Sequence, residues 1–223
     1  MGRPAYTLRL VSIEGATAKQ VASSLSRNGG FATAKVEVSD ISQANSLVDA
    51  GFRVVDVALI FSKDAEGEQT TASVREAKSS DEEAVRAIAG SSFRYSRFHL
   101  DPSIPVSLAN RIKSEWAGNF FSGKRGNAML IAETNGIVAG FCQLIFRDGN
   151  AVIDLIAVDP SFARRGLARK LLAGVTTCAT KRKFPVQKVV VGTQAANTPS
   201  VNLYESFGFR LVSSNLVLHY TTS

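Results

Sequence analysis

Short apolar runs and helix-spaced apolar positions alternate along most of the chain. Runs at 73–77, 128–133, 137–146, 151–158, 186–193 and 209–220 predict strands. Apolar residues at helical spacing predict a helix over 106–116, and Ser80 with the acidic residues after it predicts the start of an earlier helix. Asn135-Gly136 between two strands is a strong hairpin signal, so the strands from 128 to 158 are expected to form an antiparallel meander.

The segment 151–169 contains the most informative pattern in the sequence. An apolar strand ends at Asp159-Pro160, and a basic, glycine-containing segment at 164–169 then opens a helix. A helix start presents unpaired backbone N–H groups and the positive end of the helix dipole, which suits a pyrophosphate. Gly166 lets a phosphate approach the backbone closely, and the small side chain of Ala168 leaves space for it. The alternative is a basic helix start that is merely solvated.

The next elements extend this pattern. A β-branched strand at 186–193 is followed by Asn197 and by a short helix with Pro199 near its start. Gly208 ends that helix, and a final strand runs from Phe209 to Tyr220.

This order of elements and residues resembles the GNAT superfamily of acyl-CoA-dependent N-acyltransferases. The resemblance implies an α/β (α+β) fold with a mixed, mostly antiparallel central sheet flanked by helices, and acetyl-CoA as co-substrate. It covers about 128–220, and a weaker match begins near Ala72. The turn pattern Gln/Arg-x-x-Gly-x-Gly/Ala is matched except at its first position, which is Ala163. The residues that the resemblance assigns to the cofactor are Ile156, Ala157, Val158, Arg164, Arg165, Gly166, Leu167, Ala168, Arg169, Asn197, Ser200 and Tyr204.

Composition narrows the class of protein. The net charge of +7 raises the question of nucleic acid, but the basic residues are spread out and the densest group is explained by a phosphate-rich cofactor. No apolar run of membrane-spanning length and no signal-peptide pattern is present, so a cytoplasmic protein without a membrane partner is expected. Cys142 and Cys178 lack metal-ligand spacing and are expected to be buried thiols, with no metal bound.

The sequence contains an internal similarity. Residues 45–61 and 202–219 both run from Asn through a helical stretch and Gly-Phe-Arg into an apolar strand, with Leu47 at the place of Tyr204. The first copy is either a degenerate half of the acyltransferase unit or a chance likeness. We expect a small N-terminal αβ region at 1–66, a polar linker at 64–71 and an acyltransferase domain at 72–223.

The segment 92–102 interleaves aromatic and cationic side chains between the first two helices of that domain. Rings can stack on a base or sugar and arginines can hold phosphates. With Trp116, Asn119 and the segment 123–126, it resembles the nucleotide-sugar branch of the family, of the TDP-fucosamine acetyltransferase type. The alternative is a helix end packed by Phe93 and Phe98. The residues predicted to contact the acceptor are Arg94, Tyr95, Arg97, Phe98 and His99.

Amide formation from a thioester needs a polarised carbonyl, a neutral amine and a proton for the leaving thiolate. The resemblance implies that a backbone N–H near 155–158 polarises the carbonyl and that Tyr204 donates the proton; a packed core ring is the alternative for Tyr204. Asp154, in an otherwise apolar strand, is the candidate base, directly or through water. The rival bases are Glu133, Asp101 and His99, and His219 is expected to be structural.

The sequence therefore predicts an acyl-CoA-dependent N-acetyltransferase that uses a small molecule, most simply a nucleotide-linked amino sugar. A peptide or protein amine is the alternative acceptor, and a non-catalytic acyl-CoA-binding module is the alternative class. The oligomeric state stays open, with a homodimer as one alternative.

Overall fold

The computed structural model describes residues 5–8, 15–28, 30–65 and 74–221. Its strands form one continuous sheet in the order β1-β2-β9-β3-β8-β7-β6-β5-β4. The strands are β1 Ala5–Leu8, β2 Phe31–Glu37, β3 Arg53–Asp64, β4 Val74–Glu76, β5 Ala128–Thr134, β6 Ile137–Arg147, β7 Asn150–Val158, β8 Lys188–Gln194 and β9 Arg210–Thr221. The helices are α1 Gly15–Asn28, α2 Ile41–Asp49, α3 Glu82–Ser92, α4 Arg97–Leu100, α5 Val106–Gly118, α6 Leu167–Lys181 and α7 Thr198–Ser206.

The sheet confirms the predicted fold class. All described strand pairs are antiparallel except β1 with β2 and β7 with β8. Asn135 and Gly136 have positive φ angles of 52° and 77°, as the two central residues of a tight hairpin require. The helix predicted over 106–116 extends to Gly118, and the strand predicted from 186 begins at Lys188.

Helices cover both faces of the C-terminal part of the sheet. One core joins α6 to alternate residues of β5, β6 and β7, such as Leu130 and Leu144. The other joins α3 and α5 to the opposite residues of the same strands, such as Met129 and Phe141. Burial on both faces explains why β5 and β6 appear in the sequence as continuous apolar runs instead of alternating ones. Cys142 and Cys178 are buried free thiols, as predicted.

The internal similarity in the sequence corresponds to a pseudo-two-fold arrangement of the sheet. In the order β1-β2-β9-β3-β8-β7, the three strands of one half mirror those of the other, and each half contains one parallel pair. Asp40 caps α2 as Asn197 caps α7, and Gly51 and Gly208 follow these helices with φ of 95° and 86°. The two final strands are exchanged, because β9 pairs with β2 and β3 pairs with β8.

The exchange ties the predicted N-terminal region, 1–66, to the predicted domain, 72–223. β9 lies between β2 and β3, so both of its neighbours come from the N-terminal region. Most of the predicted linker lies outside the described residues; Asp64 and Ala65 are described, and Asp64 still belongs to β3.

Removal of the N-terminal region is expected to prevent folding of the remainder. A protein of residues 72–223 loses both partners of β9 and the β3 partner of β8, and leaves their edges unpaired. Circular dichroism during heating should show no cooperative transition. Residues 30–223, which keep both neighbours of β9, serve as the control and should unfold cooperatively. An equal melting temperature for 72–223 and the full chain would contradict this prediction.

Candidate active site

The sheet opens between its two central parallel strands. β7 and β8 pair only from Asn150 to Ile153 and from Lys188 to Val191, although β7 continues to Val158 and β8 to Gln194. A cavity of about 360 Å³ fills the gap. Its walls come from the diverging strand ends, the 92–96 segment, α5, α6 and α7.

The free edge of β7 offers hydrogen-bond donors to this cavity. The Asp159 N–H donates to the Ala139 carbonyl of β6, and Ser92 donates to the Val158 carbonyl on the other side. Because backbone groups alternate along a strand, the N–H groups of Ile156 and Val158 face the opening. Ile156, Ala157 and Val158, which were predicted to contact the cofactor, all line the cavity. Donors at such an edge can polarise a carbonyl oxygen.

The start of α6 has the shape that a pyrophosphate requires. Gly166 is the N-terminal cap with φ of 74°, and a Cβ built on it meets nothing within 4 Å. The first N–H groups of the helix have no partner within the helix. Arg164 and Arg165 are exposed at this turn, while Ala168 lines the cavity. The turn thus combines open backbone at Gly166 with two exposed cations, the features that favour an anion at a helix start.

Two other residues of this turn have packing roles. Leu167 is buried in the core beneath α6. Arg169 donates to the Ser206 hydroxyl (2.9 Å) and lies over the Phe207 ring, so it fixes the end of α7 against the start of α6.

α7 brings the predicted Asn197, Ser200 and Tyr204 to the cavity. Asn197 accepts a hydrogen bond from the Ser200 N–H and donates one to the Thr193 hydroxyl, which joins α7 to β8. Tyr204 is 3% exposed, and the centroid of its ring lies 6.0 Å from that of Phe61. Burial raises the pKa of Tyr204, so the phenol keeps its proton throughout the physiological pH range.

Asp154 lines the cavity from β7, and its side chain is 11% exposed. Arg125 donates to both carboxylate oxygens, from Nε and Nη2, each at 2.6 Å. The Gln143 side chain donates a third hydrogen bond at 3.0 Å. The carboxylate is therefore held as an oriented anion within the cavity wall.

The segment 92–102, which was predicted to contact the acceptor and is called the acceptor segment below, divides into two parts. Arg94 and Tyr95 line the cavity. Arg97 lies behind them over the Phe98 and Trp116 rings, at 4.8 and 5.9 Å from their centroids. Phe98 and His99, predicted to contact the acceptor, do not line the cavity: Phe98 packs edge-on against Trp116, as the alternative of a packed helix end expects.

The rival bases are engaged elsewhere. The two ring nitrogens of His99 are hydrogen-bonded to Ser96 and Asn110. Glu133 is paired with Arg75. Asp101 accepts from His219 Nδ1 at 2.6 Å, and this pair is buried between the acceptor segment and β9. None of these three residues lines the cavity, and neither does His219.

Lys113 is a cavity residue that the sequence analysis missed. It lies on α5, is 8% exposed and lines the cavity beside Asp154. Its helical spacing from Ala109 and Trp116 could have indicated this position, because both of those residues lie on the packed side of α5.

The described residues contain neither a metal-ligand cluster nor a helix of membrane-spanning character. No group of three or more His, Cys, Asp or Glu side chains there could hold a metal ion. No helix in the described ranges is long and apolar enough to cross a bilayer.

The mixed, mostly antiparallel sheet with helices on both faces has the fold of solved GNAT structures. A family model described as the acetyltransferase (GNAT) family matches residues 86–209, more than half of the chain. The chain belongs to this acetyltransferase (GNAT) family.

Individual relatives add detail. The chain is 35% identical over 139 residues to the spore coat polysaccharide biosynthesis protein SpsD of Bacillus subtilis (strain 168). The matched residues make up 62% of this chain and 47% of SpsD. The chain thus spans about half the length of that relative. A functionally unknown conserved protein of Staphylococcus epidermidis ATCC 12228 has the same fold, with a TM-score of 0.65 and 15% identity over 88% of this chain and 74% of its own.

A second solved structure is similar along the whole chain. A tandem GNAT protein from the clavulanic acid biosynthesis pathway matches 100% of this chain and 76% of its own, with a TM-score of 0.64 and 14% identity. At this identity the likeness concerns the fold, including the N-terminal half.

Gly166→Val is expected to weaken acetyl-CoA binding by about tenfold or more, or ~1.4 kcal/mol. The branched side chain occupies the open space above the first N–H groups of α6 and disfavours the positive φ. Titration calorimetry on the purified variant measures the affinity. Gly136→Val is the matched control, because Gly136 also has a positive φ and open space but lies in the β5–β6 hairpin. Equal affinities for the two variants would exclude this turn as the pyrophosphate site.

Proposed function

We propose that this protein transfers the acetyl group of acetyl-CoA directly to a primary amine, most specifically the amino group of a nucleotide-linked amino sugar. The observation that carries the proposal is the cavity between the diverging ends of β7 and β8, which joins a helix start suited to pyrophosphate to a buried tyrosine. A molecule with phosphates at one end and a thioester at the other matches these two features.

The residues of the cavity have separate tasks in this reaction. Ile156 and Val158 present N–H groups that stabilise negative charge on the thioester oxygen as the amine attacks. Tyr204 donates its proton to the departing thiolate, and its raised pKa keeps that proton in place beforehand. The proposal requires the phenol and the sulfur to meet within hydrogen-bonding distance.

Asp154 acts on the amine side in this proposal. Because Arg125 and Gln143 hold its carboxylate ionised and oriented, it attracts the acceptor ammonium. The proton of the ammonium leaves through water that the carboxylate orders.

Three observations favour an anionic sugar derivative as acceptor. Arg94 and Tyr95 line the cavity and together suit a phosphate and a ring. Lys113 adds a buried positive charge. The relative SpsD is named for polysaccharide biosynthesis, which is consistent with a sugar as the acyl acceptor.

Tyr204→Phe is expected to lower turnover by roughly two to four orders of magnitude, because the proton donor to the thiolate is lost. Affinity for acetyl-CoA should change little, since the missing interaction belongs to the transition state. Single-turnover release of CoA, detected by a thiol reagent, measures the chemical step. Tyr220→Phe removes a hydroxyl outside the cavity and should retain turnover. A chemical step as fast in Tyr204→Phe as in the wild type would contradict the assignment.

Arg94→Ala is expected to raise the KM for a TDP-linked amino sugar and to leave the KM for acetyl-CoA unchanged. The wild type should acetylate that compound with a higher kcat/KM than the free amino sugar, because the nucleotide positions the amine. Arg94 is exposed, so the fold should not suffer.

The same measurements distinguish the other functions. A higher kcat/KM for a peptide amine than for every nucleotide sugar tried would favour the protein-acetyltransferase alternative. Binding of acetyl-CoA without CoA release from any amine in a broad panel would favour a non-catalytic binding module.

A further inference from the structure

Lys113 is a buried cation without a partner. Its ammonium makes no hydrogen bond or ion pair with any residue in 5–8, 15–28, 30–65 or 74–221. Its Nζ lies over two rings instead, at 4.7 Å from the centroid of Phe93 and 4.9 Å from that of Trp116. A buried ammonium normally requires pairing, because its hydration is lost. The side chain nevertheless points to the cavity, where a ligand can reach it.

The surroundings of Lys113 are positive. Arg97 and Arg125 lie over the same Trp116 ring, at 5.9 and 5.0 Å from its centroid. The positive charge of Arg125 is balanced by the Asp154 carboxylate, to which Arg125 donates two hydrogen bonds. Among the described residues, no carboxylate forms an ion pair with the buried charge of Lys113.

Arg97 also has an unmet donor. Its Nε is buried and has no hydrogen-bond partner among the described residues. The carboxylate that attracts its guanidinium is Asp56 of β3, which also attracts Lys35 of β2. One carboxylate is thus shared between two cations, and Asp154, the carboxylate that attracts Lys113 at a distance, is already paired with Arg125.

Electrostatics agrees with this geometry. Burial first, and then Arg97 and Arg125, lower the pKa of Lys113 to about 8, while Asp154 opposes the shift. At pH 7 the ammonium is therefore mostly charged. A lysine whose pKa is lowered in the folded state costs stability below that pKa, because the unfolded chain holds the proton more tightly.

We propose that Lys113 binds an anionic group of the acyl acceptor, specifically a phosphate of a nucleoside diphosphate. The proposal rests on the proposed acetyl transfer to the amine of a nucleotide-linked sugar. Lys113 lines the cavity on the side of α5 and the 92–96 segment, whereas Tyr204 enters from α7. A phosphate held by Lys113 leaves the sugar amine to extend toward Asp154 and the thioester.

The ammonium then has the partner that the chain does not supply. A phosphate is held by charge-assisted hydrogen bonds, and these are stronger away from bulk water. A carboxylate on the acceptor has the same basic chemistry, so the experiment compares both kinds of anion with an acceptor that has neither.

Lys113→Met tests the proposal, because methionine keeps the length and apolar packing of the side chain and removes the charge. With a TDP-linked amino sugar, kcat/KM should fall roughly 10- to 100-fold, as expected for one hydrogen bond to a charged group. With the free amino sugar it should change by less than about threefold on the same scale. The KM for acetyl-CoA should be unchanged. Lys181→Met removes an exposed charge from the last turn of α6 and is the control.

Direct binding gives a second measurement that does not depend on turnover. Thymidine diphosphate alone should bind the wild type and Lys181→Met equally, and Lys113→Met at least about tenfold more weakly, by calorimetry at fixed salt. Without ligand at pH 7, Lys113→Met should melt at a higher temperature than the wild type, because an unpaired buried charge is removed. A lower melting temperature would mean that Lys113 stabilises the fold, which overturns the unpaired-charge argument.

The remaining outcomes separate this proposal from the proposed function. Equal losses with anionic and neutral acceptors would assign Lys113 to proton transfer or packing and overturn anion binding. No loss with any acceptor would overturn it as well. If TDP-linked sugars are not acetylated but an amine bearing a phosphate or carboxylate is, and only that acceptor suffers in Lys113→Met, anion binding stands and the nucleotide-sugar acceptor fails.

Discussion

The site depends on the point at which β7 and β8 stop pairing. Up to Ile153 and Val191 the two strands share hydrogen bonds, and beyond those residues β7 has a free edge. A buried free edge is costly unless its N–H and C=O groups find partners. Here Ser92 satisfies the Val158 carbonyl, and the facing N–H groups are left for a ligand. The same divergence makes room for α7 and brings Tyr204 to the cavity.

The exchange of β3 and β9 stabilises the separated end of β8, because β3 pairs with β8 on the side away from β7. β8 is held on its far side by β3, so its divergence from β7 does not leave it as an isolated edge. The N-terminal half repeats the strand and helix order, but Leu47, at the place of Tyr204, is fully buried and carries no proton to donate. The N-terminal half contributes strands to the sheet. Through Asp56 it also contributes a negative charge near Arg97 of the acceptor segment.

Local sequence patterns predicted most elements after residue 72 and several of the residues that line the cavity. The helix start at Gly166, the hairpin at Asn135-Gly136 and the helix ending at Gly208 depend on backbone conformations that glycine and asparagine favour, so they are visible in the sequence. The partners of Asp154 and the packing of Phe98 were not visible. Arg125 and Gln143 lie 29 and 11 positions from Asp154, and only the sheet register brings them together. A charged residue on a helix face such as Lys113 is by itself usually solvated.

The charged groups around Trp116 indicate how stability and binding oppose each other in this protein. Packing three cations over one ring costs free energy in the absence of ligand, and the aromatic faces recover only about 0.5–2 kcal/mol for each. A fold optimised for stability alone would place a carboxylate or an apolar residue opposite Lys113. An unpaired ammonium that is already fixed at the cavity wall does not have to reorganise when an anion binds. The loss of side-chain entropy that binding would require has then already occurred on folding. Under the proposed anion binding, Lys113 therefore lowers the stability of the free protein and favours the bound state.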